Sequence, residues 1–316
     1  MRRILVAAVL VPVLAVGPAL GGAAGPALSG AAAGPAPSGA GSRVGVVDNL
    51  GNTVFFDSAP ERVVSLSPGA TEILFALGAG DKLRAVSKYC DYPSAARKLP
   101  KVGDFMNPSL EAIIAQKPDL VVATGGVQKE IVLNLKRMSV PLLMLYPHSV
   151  EEVFGNITAL GRVLRRDAAA GALVSGIRDR VKRLTASVAS TPERDRPRVY
   201  LEMWGDPLMA IGDLGYVGDL IRLAGGVNVA RGLAEEYPRI SPEFLVKADP
   251  DVIILSHCDD PGGAVDFVRK RPGWEQVRAV RTKRVYGDLN MDLLLRPGPR
   301  LADGLEQLVR RFRGKR

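Results

Sequence analysis

The sequence predicts an α/β protein built of two similar lobes, and three observations carry that prediction. One helix-to-strand unit occurs twice: residues 109–123 read SLEAIIAQKPDLVVA and residues 241–255 read SPEFLVKADPDVIIL. Ser109, Glu111, Pro118 and Asp119 return as Ser241, Glu243, Pro250 and Asp251 at a constant offset of 132 positions, without a gap. Each copy has a Ser N-cap, an acid in the first turn where the helix dipole favours it, helical apolar spacing, a Pro-Asp break and a β-branched run. A strand leading on to a helix also precedes each copy, within RVVSLSPGATEILFALG before the first and as strand Val199 to Met203 with a helix at Tyr216 to Ala224 before the second. Between the copies, residues 149–190 keep helical periodicity with no strand, a length able to bridge two lobes.

At 316 residues and 47% apolar content the chain can fill two cores. The expected division is 1–24 signal peptide, 25–42 low-complexity tether, 43–148 N-terminal lobe, 149–192 helical linker and 193–316 C-terminal lobe. MRRILVAAVLVPVLAV has two arginines and then a short apolar core, the proportions of a secretory signal rather than of a membrane span. Gly22-Ala23-Ala24 offers a small-residue cleavage site, and the sequence leaves open whether it is cut. No cysteine follows the apolar run, so a lipid anchor is not expected. The Gly/Ala/Pro/Ser stretch after it is too poor in large apolar groups to fold. A secreted, extracytoplasmic protein is the expectation.

Element by element, residues 44–57 read as a hairpin about Asn49-Leu50-Gly51-Asn52, Arg62 to Leu66 as a buried strand, and Thr71 to Gly78 as a helix. Leu83 to Ser87 is a strand that leads into the loop Lys88 to Pro93. The first repeat unit, a helix over 127–138 and a strand over 141–145 complete the lobe. Helix signals then cover 149–190, with a break where Asp167 can cap a second helix. The second lobe opens on strand 199–203, followed by a helix at 216–224, the second repeat unit, a helix at 264–269, a strand at 284–286 and a last helix from Pro299.

The formal charge of +9 raises the question of an anionic polymer as partner. The excess lies in Arg162 to Arg183, Arg194 to Arg198, Arg269 to Arg284 and the RRFRGKR tail, with no interleaved aromatics, so a solvated basic surface is expected and no nucleic acid. Catalysis is not supported. There are only two histidines, His148 and His257, and no metalloprotease, nucleophile-elbow, phosphate-loop or dinucleotide pattern. No metal site and no cofactor are expected, and Cys90 and Cys258 are read as thiols rather than as a bridge. Aromatic residues make up only 5% of the chain, yet Tyr89, Tyr92, Phe105, Trp204 and Tyr237 fall at strand exits or ahead of helices in both lobes. Gathered there, they would line a flat apolar ligand site, with Asp288, Asn290, Asp292 and Arg296 adding polar groups.

At RVVSLSPGATEILFALG, KYCDYP, NPSLEAIIAQKPDLVVA, WGDPL, PDVIILSHC and RPGPRLADGLE the chain resembles the extracytoplasmic binding proteins of cobalamin and iron-siderophore ABC importers, nearest the cobalamin branch. The resemblance covers about Val44 to Phe312. It implies two Rossmann-like lobes joined by a long rigid helix, a ligand cleft between them, a monomer, and a membrane permease as partner. On this resemblance Tyr89, Phe105, Trp204, Tyr237, Asp292 and Arg296 would contact the ligand, while Glu111 and Glu243 would dock onto permease arginines. The implied ligand is a corrinoid. Thr124, Phe105 and Tyr237 stand where larger aromatics are sometimes found, which keeps haem and ferric siderophores open; His257 and Tyr89 would be candidate haem ligands. A chelatase-type enzyme on a similar two-lobe frame is the remaining alternative.

Overall fold

The computed structural model describes residues 43–125, 128–186, 188–258 and 261–313. The expected signal and tether lie outside them. Strands β1 (Val44–Val47) and β2 (Thr53–Phe56) form the antiparallel hairpin expected there. In its turn, the Asp48 carboxylate accepts from the backbone N–H of Leu50 and Asn52. Asn49 then joins the hairpin to the first lobe, accepting from Tyr146 N at 2.8 Å and donating its own N–H to Met144 O at 3.1 Å.

The first lobe continues with β3 (Val63–Ser65), α1 (Pro68–Ala76), β4 (Leu83–Val86), α2 (Leu110–Ala115), β5 (Leu120–Ala123), α3 (Lys129–Arg137) and β6 (Leu142–Met144). The four strands from β3 to β6 form one parallel sheet in the order β4-β3-β5-β6, each hydrogen-bonded at fully buried apolar residues such as Val64, Val121 and Leu143. Near-continuous apolar strands are what a sheet covered on both faces requires.

Helices α4 (Val150–Val163) and α5 (Asp167–Ala186) follow, separated where the sequence breaks at Arg165-Arg166. Twenty residues of α5 span about 30 Å at the helical rise. One flank of α5 packs on α4 of the first lobe, and the other on the C-terminal helix of the second. This is the rigid connection: a helix packed against both neighbouring helices resists hinge motion where a flexible linker would permit it.

The second lobe comprises β7 (Arg198–Gly205), β8 (Leu208–Ala210), α6 (Tyr216–Leu223), β9 (Val227–Asn228), α7 (Pro242–Ala248), β10 (Val252–Leu255), α8 (Ala264–Arg269), α9 (Arg278–Arg281), β11 (Val285–Tyr286), α10 (Asp292–Leu295) and α11 (Leu301–Arg313). Its sheet runs β11-β10-β7-β8, with β9 added to β7; β7, β10, β11 and β9 are parallel, and β8 is antiparallel. The short strands β8 and β9 carry no strand signal strong enough to be read from sequence.

The repeat explains itself at atomic level. Ser109 Oγ accepts from Ala112 N, and Ser241 Oγ from Phe244 N, both at 3.2 Å. The residue before each proline, Lys117 (φ 48°) and Asp249 (φ 39°), takes the left-handed conformation that ends its helix. The aspartate then fixes the neighbouring strand: Asp119 accepts from Glu61 N and Arg62 N at 2.9 and 2.8 Å, and Asp251 from Arg198 N at 2.8 Å. Arg62 and Arg198 complete the lock by donating Nε–H to Lys117 O and Ala248 O. Each Pro-Asp therefore sets the register of β5 on β3, or of β10 on β7.

Candidate functional site

The carboxyl ends of the two parallel sheets face one another across the lobes, as a set of cross-lobe contacts shows. On one side, the Tyr146 hydroxyl, just after β6, donates to the Glu236 carboxylate of the second lobe. Burial and that carboxylate push the Tyr146 phenol far above its ordinary value. His148 Nδ1 donates to Leu214 O at 3.0 Å, and Val150 N to Asp219 Oδ2 at 2.9 Å, so the start of α4 is fastened to α6.

On the other side lies a charged seam. Glu72, in the apolar helix α1, keeps only 2% of its side chain exposed. Arg300 holds it from Nε at 2.7 Å and Nη2 at 2.5 Å, and the Arg300 guanidinium lies 3.9 Å over the Tyr92 ring. Arg296, ahead of it, pairs with Asp91 at 2.7 Å and Asp292 at 2.8 Å, with Glu72 at 3.9 Å. Three carboxylates thus share two guanidinium groups. Burial raises the Glu72 carboxyl above its ordinary value, against the pull of Arg300 and Arg296. Gly69 permits the contact, because a Cβ there would lie 2.4 Å from Pro297 O.

The six residues expected at the ligand fall into three groups. Tyr89, Phe105 and Trp204 are half-buried at the carboxyl ends of the sheets. Asp292 and Arg296 are engaged in the seam with the first lobe. Tyr237 is half-buried against the main core, its phenol raised well above the ordinary value by burial and by Glu236 and Tyr146. Of the polar groups expected near Arg296, Asp288 turns to Arg311, and Asn290 donates its backbone N–H to Gln307 Oε1 at 2.9 Å while its Oδ1 accepts from Asp292 N at 3.1 Å. The two expected docking residues, Glu111 and Glu243, are exposed in the first turns of α2 and α7. The Ser241 hydroxyl and its own backbone N–H hold the Glu243 carboxyl below its ordinary value.

Several positioning residues escape the sequence reading. Gln128, 1% exposed, donates Nε2 to Leu66 O at 3.1 Å and Phe105 O at 3.0 Å, and accepts from Thr124 N at 3.0 Å. One amide thus fastens three strand-exit loops of the first lobe. In the second lobe Glu202 is completely buried on β7, with Arg271 bidentate at 2.5 and 2.8 Å, Tyr200 Oη at 3.1 Å and His257 Nε2 at 2.9 Å. Trp204 packs beside His257, 5.6 Å between centroids, and donates its indole N–H to Asp206 O at 2.8 Å. Glu72 and Glu202 had a signal: each is an acid inside an apolar run, which burial allows only with a cationic partner. Cys90 is buried, its Sγ 3.2 Å from Ser87 Oγ, and no disulfide joins it to Cys258. Among the described residues no cluster of three or more His, Cys, Asp and Glu could hold a metal ion, and no helix is long and apolar enough to cross a membrane.

Residues 63–289 match the family described as periplasmic binding protein, from the first strand of the parallel sheet to the loop after β11. The chain belongs to that family. The binding protein is 32% identical over 256 residues to a vitamin B12-binding protein of Vibrio parahaemolyticus, covering 80% of this chain and 89% of that one. Its fold is similar to the crystal structure of the periplasmic vitamin B12-binding protein BtuF of Vibrio cholerae, with a TM-score of 0.71, 29% identity, and coverage of 80% of this chain and 97% of the other. It is similar to the same degree to the periplasmic haem-binding protein RhuT from Roseiflexus, with a TM-score of 0.70, 28% identity, and coverage of 80% and 97%. The binding protein therefore has the two-lobe fold of substrate-binding proteins of ABC importers, a class that captures ligands rather than converting them.

Proposed function

We propose that the protein captures a corrinoid between its lobes outside the cytoplasmic membrane and delivers it to the membrane permease of an ABC importer. The observation that supports this most is the placing of Tyr89 and Phe105 on one lobe and Trp204 on the other, in a chain 32% identical to a vitamin B12-binding protein over 80% of its length. Aromatic faces at the rim of a cleft suit a flat macrocycle with a large apolar face. Delivery falls to Glu111 and Glu243: exposed carboxylates at equivalent helix starts on two lobes held by α5 present a pair of fixed separation to permease arginines, which would meet them in charge-assisted pairs. The seam and the packed linker limit closure to small movements.

Haem is the second reading, favoured by the equal likeness to a haem-binding protein. The deciding experiment is titration of the purified protein with cyanocobalamin, haemin and a ferric hydroxamate siderophore, followed by absorbance and melting temperature. A saturable response to cyanocobalamin alone is expected. A response to haemin alone would replace the corrinoid by haem.

A further inference from the structure

The buried cluster under Trp204 decides which hydrogen-bonding character the second lobe offers to a ligand. Glu202 is completely buried, and both of its oxygens receive donors: Arg271 Nη2 at 2.8 Å and His257 Nε2 at 2.9 Å on Oε1, Arg271 Nη1 at 2.5 Å and Tyr200 Oη at 3.1 Å on Oε2. Despite burial, Arg271 and His257 hold this carboxyl below its ordinary value, so it is ionised and can only accept. The nitrogen that faces it must therefore carry the proton. A neutral imidazole protonated at Nε2 has its lone pair on Nδ1.

The surroundings keep the ring in that orientation. Trp204 lies 5.6 Å away between ring centroids at 49° and Phe267 6.4 Å away at 75°, while Gly205 leaves room for the ring, since a Cβ there would be 2.9 Å from His257 Cε1. Among the described residues, the titratable group bonded to His257 is Glu202, which Arg271 and Tyr200 also hold. Among the described residues none takes Nδ1. The residue lies two positions after β10, at the carboxyl end of the sheet, with 20% of its side chain exposed.

We infer that His257 is a ligand-contacting residue whose Nδ1, the acceptor of the neutral ring that donates Nε2–H to Glu202, receives an N–H from an amide-rimmed macrocycle stacked beside Trp204. This inference rests on the corrinoid reading and sharpens it: a rim of primary amides offers donors to such a nitrogen, whereas a rim of carboxylates offers only acceptors. The buried Glu202 acts through His257 and is a positioning residue.

The test uses the fact that the chain has only two histidines. In protein labelled with 15N-histidine, with His257→Phe supplying the assignment, His257 is expected at pH 8 as the Nε2–H tautomer, and its Nδ1 resonance is expected to move on saturation with cyanocobalamin. His257→Phe should bind cyanocobalamin about tenfold more weakly, the scale of one hydrogen bond, and His257→Gln should recover most of the loss because its amide can donate to Glu202 and accept from the ligand. Melting temperatures of both variants report whether the lobe remains folded; the tautomer and the resonance shift are read on the unmodified protein in any case. An Nδ1-protonated tautomer, an unmoved resonance at saturation, or equal affinity in His257→Phe overturns the inference while leaving the corrinoid reading in place. Absence of cyanocobalamin binding by the unmodified protein overturns both.

Discussion

Glu72 and Glu202 are both buried acids gripped by a bidentate arginine, yet their environments drive them in opposite directions. Glu72 shares Arg300 and Arg296 with Asp91 and Asp292, an excess of carboxylates over guanidinium groups, and burial raises its carboxyl. Glu202 has Arg271 with few competitors and gains two further donors, Tyr200 and His257, and its carboxyl is lowered. The contrast is between a contact across two lobes and a contact within one. A fully satisfied carboxylate makes a fixed platform for Trp204 and His257, whereas the seam divides two guanidinium groups among three carboxylates.

The largest effect should come from breaking the fixed platform. Arg271→Ala leaves Glu202 as an uncompensated buried charge, and a loss of about 3–5 kcal/mol of unfolding free energy is expected in denaturant titration at pH 7. Arg300→Ala should cost less, about 2–3 kcal/mol, because Glu72 is already biased toward the neutral acid and Arg296 remains near. Its cost should shrink further as the pH is lowered. Equal losses for the two variants at every pH would break the comparison.

The pH dependence separates the two acids more sharply. Glu202, lowered from the ordinary value of 4.5, contributes stability that is present above that value and is lost as the pH falls through its depressed value. Glu72, raised from 4.5, favours the fold as the neutral acid, a contribution present below that value and lost as the pH rises through its elevated value. The stability of the native protein relative to Glu202→Gln should therefore grow as the pH rises from strongly acid conditions to about 5. Relative to Glu72→Gln it should decline as the pH rises from about 4.5. Parallel curves for the two variants would contradict the assignment.

The smallest effect belongs to the repeat caps. Ser109→Ala and Ser241→Ala each remove one capping hydrogen bond, Ser241→Ala also the hydroxyl contact to the exposed Glu243, and each should cost about 1 kcal/mol. If the lobes are equivalent at these helix starts, the two losses agree within a few tenths of a kcal/mol.

How much of this was legible in the sequence follows from the range of the interactions. The repeat units, the break between α4 and α5, and the exposed pair Glu111 and Glu243 are written in local patterns of cap, period and breaker, and the structure places them within a residue or two. The roles of Asp119 and Asp251 were visible only as a Pro-Asp signature, because the strand each one pins lies more than fifty positions earlier. The seam depends on pairs about two hundred positions apart, such as Asp91 with Arg296, which periodicity cannot reveal. The strands β8 and β9 were missed because three and two residues are too few to show alternation. For Glu72, Glu202 and Gln128 the sequence shows a polar residue in or beside an apolar segment, but their partners appear only in the fold.

The central claim is that ligand capture and permease recognition use separate parts of one rigid frame: the cleft between the sheets for the first, Glu111 and Glu243 for the second. The most direct measurement is transport of labelled cyanocobalamin in cells carrying Glu111→Ala with Glu243→Ala, alongside the affinity of the purified double variant. Uptake should fall to the level of cells lacking the protein while the dissociation constant stays within twofold of the native value. Normal uptake by the double variant, or lost uptake that tracks lost ligand affinity, would contradict the claim.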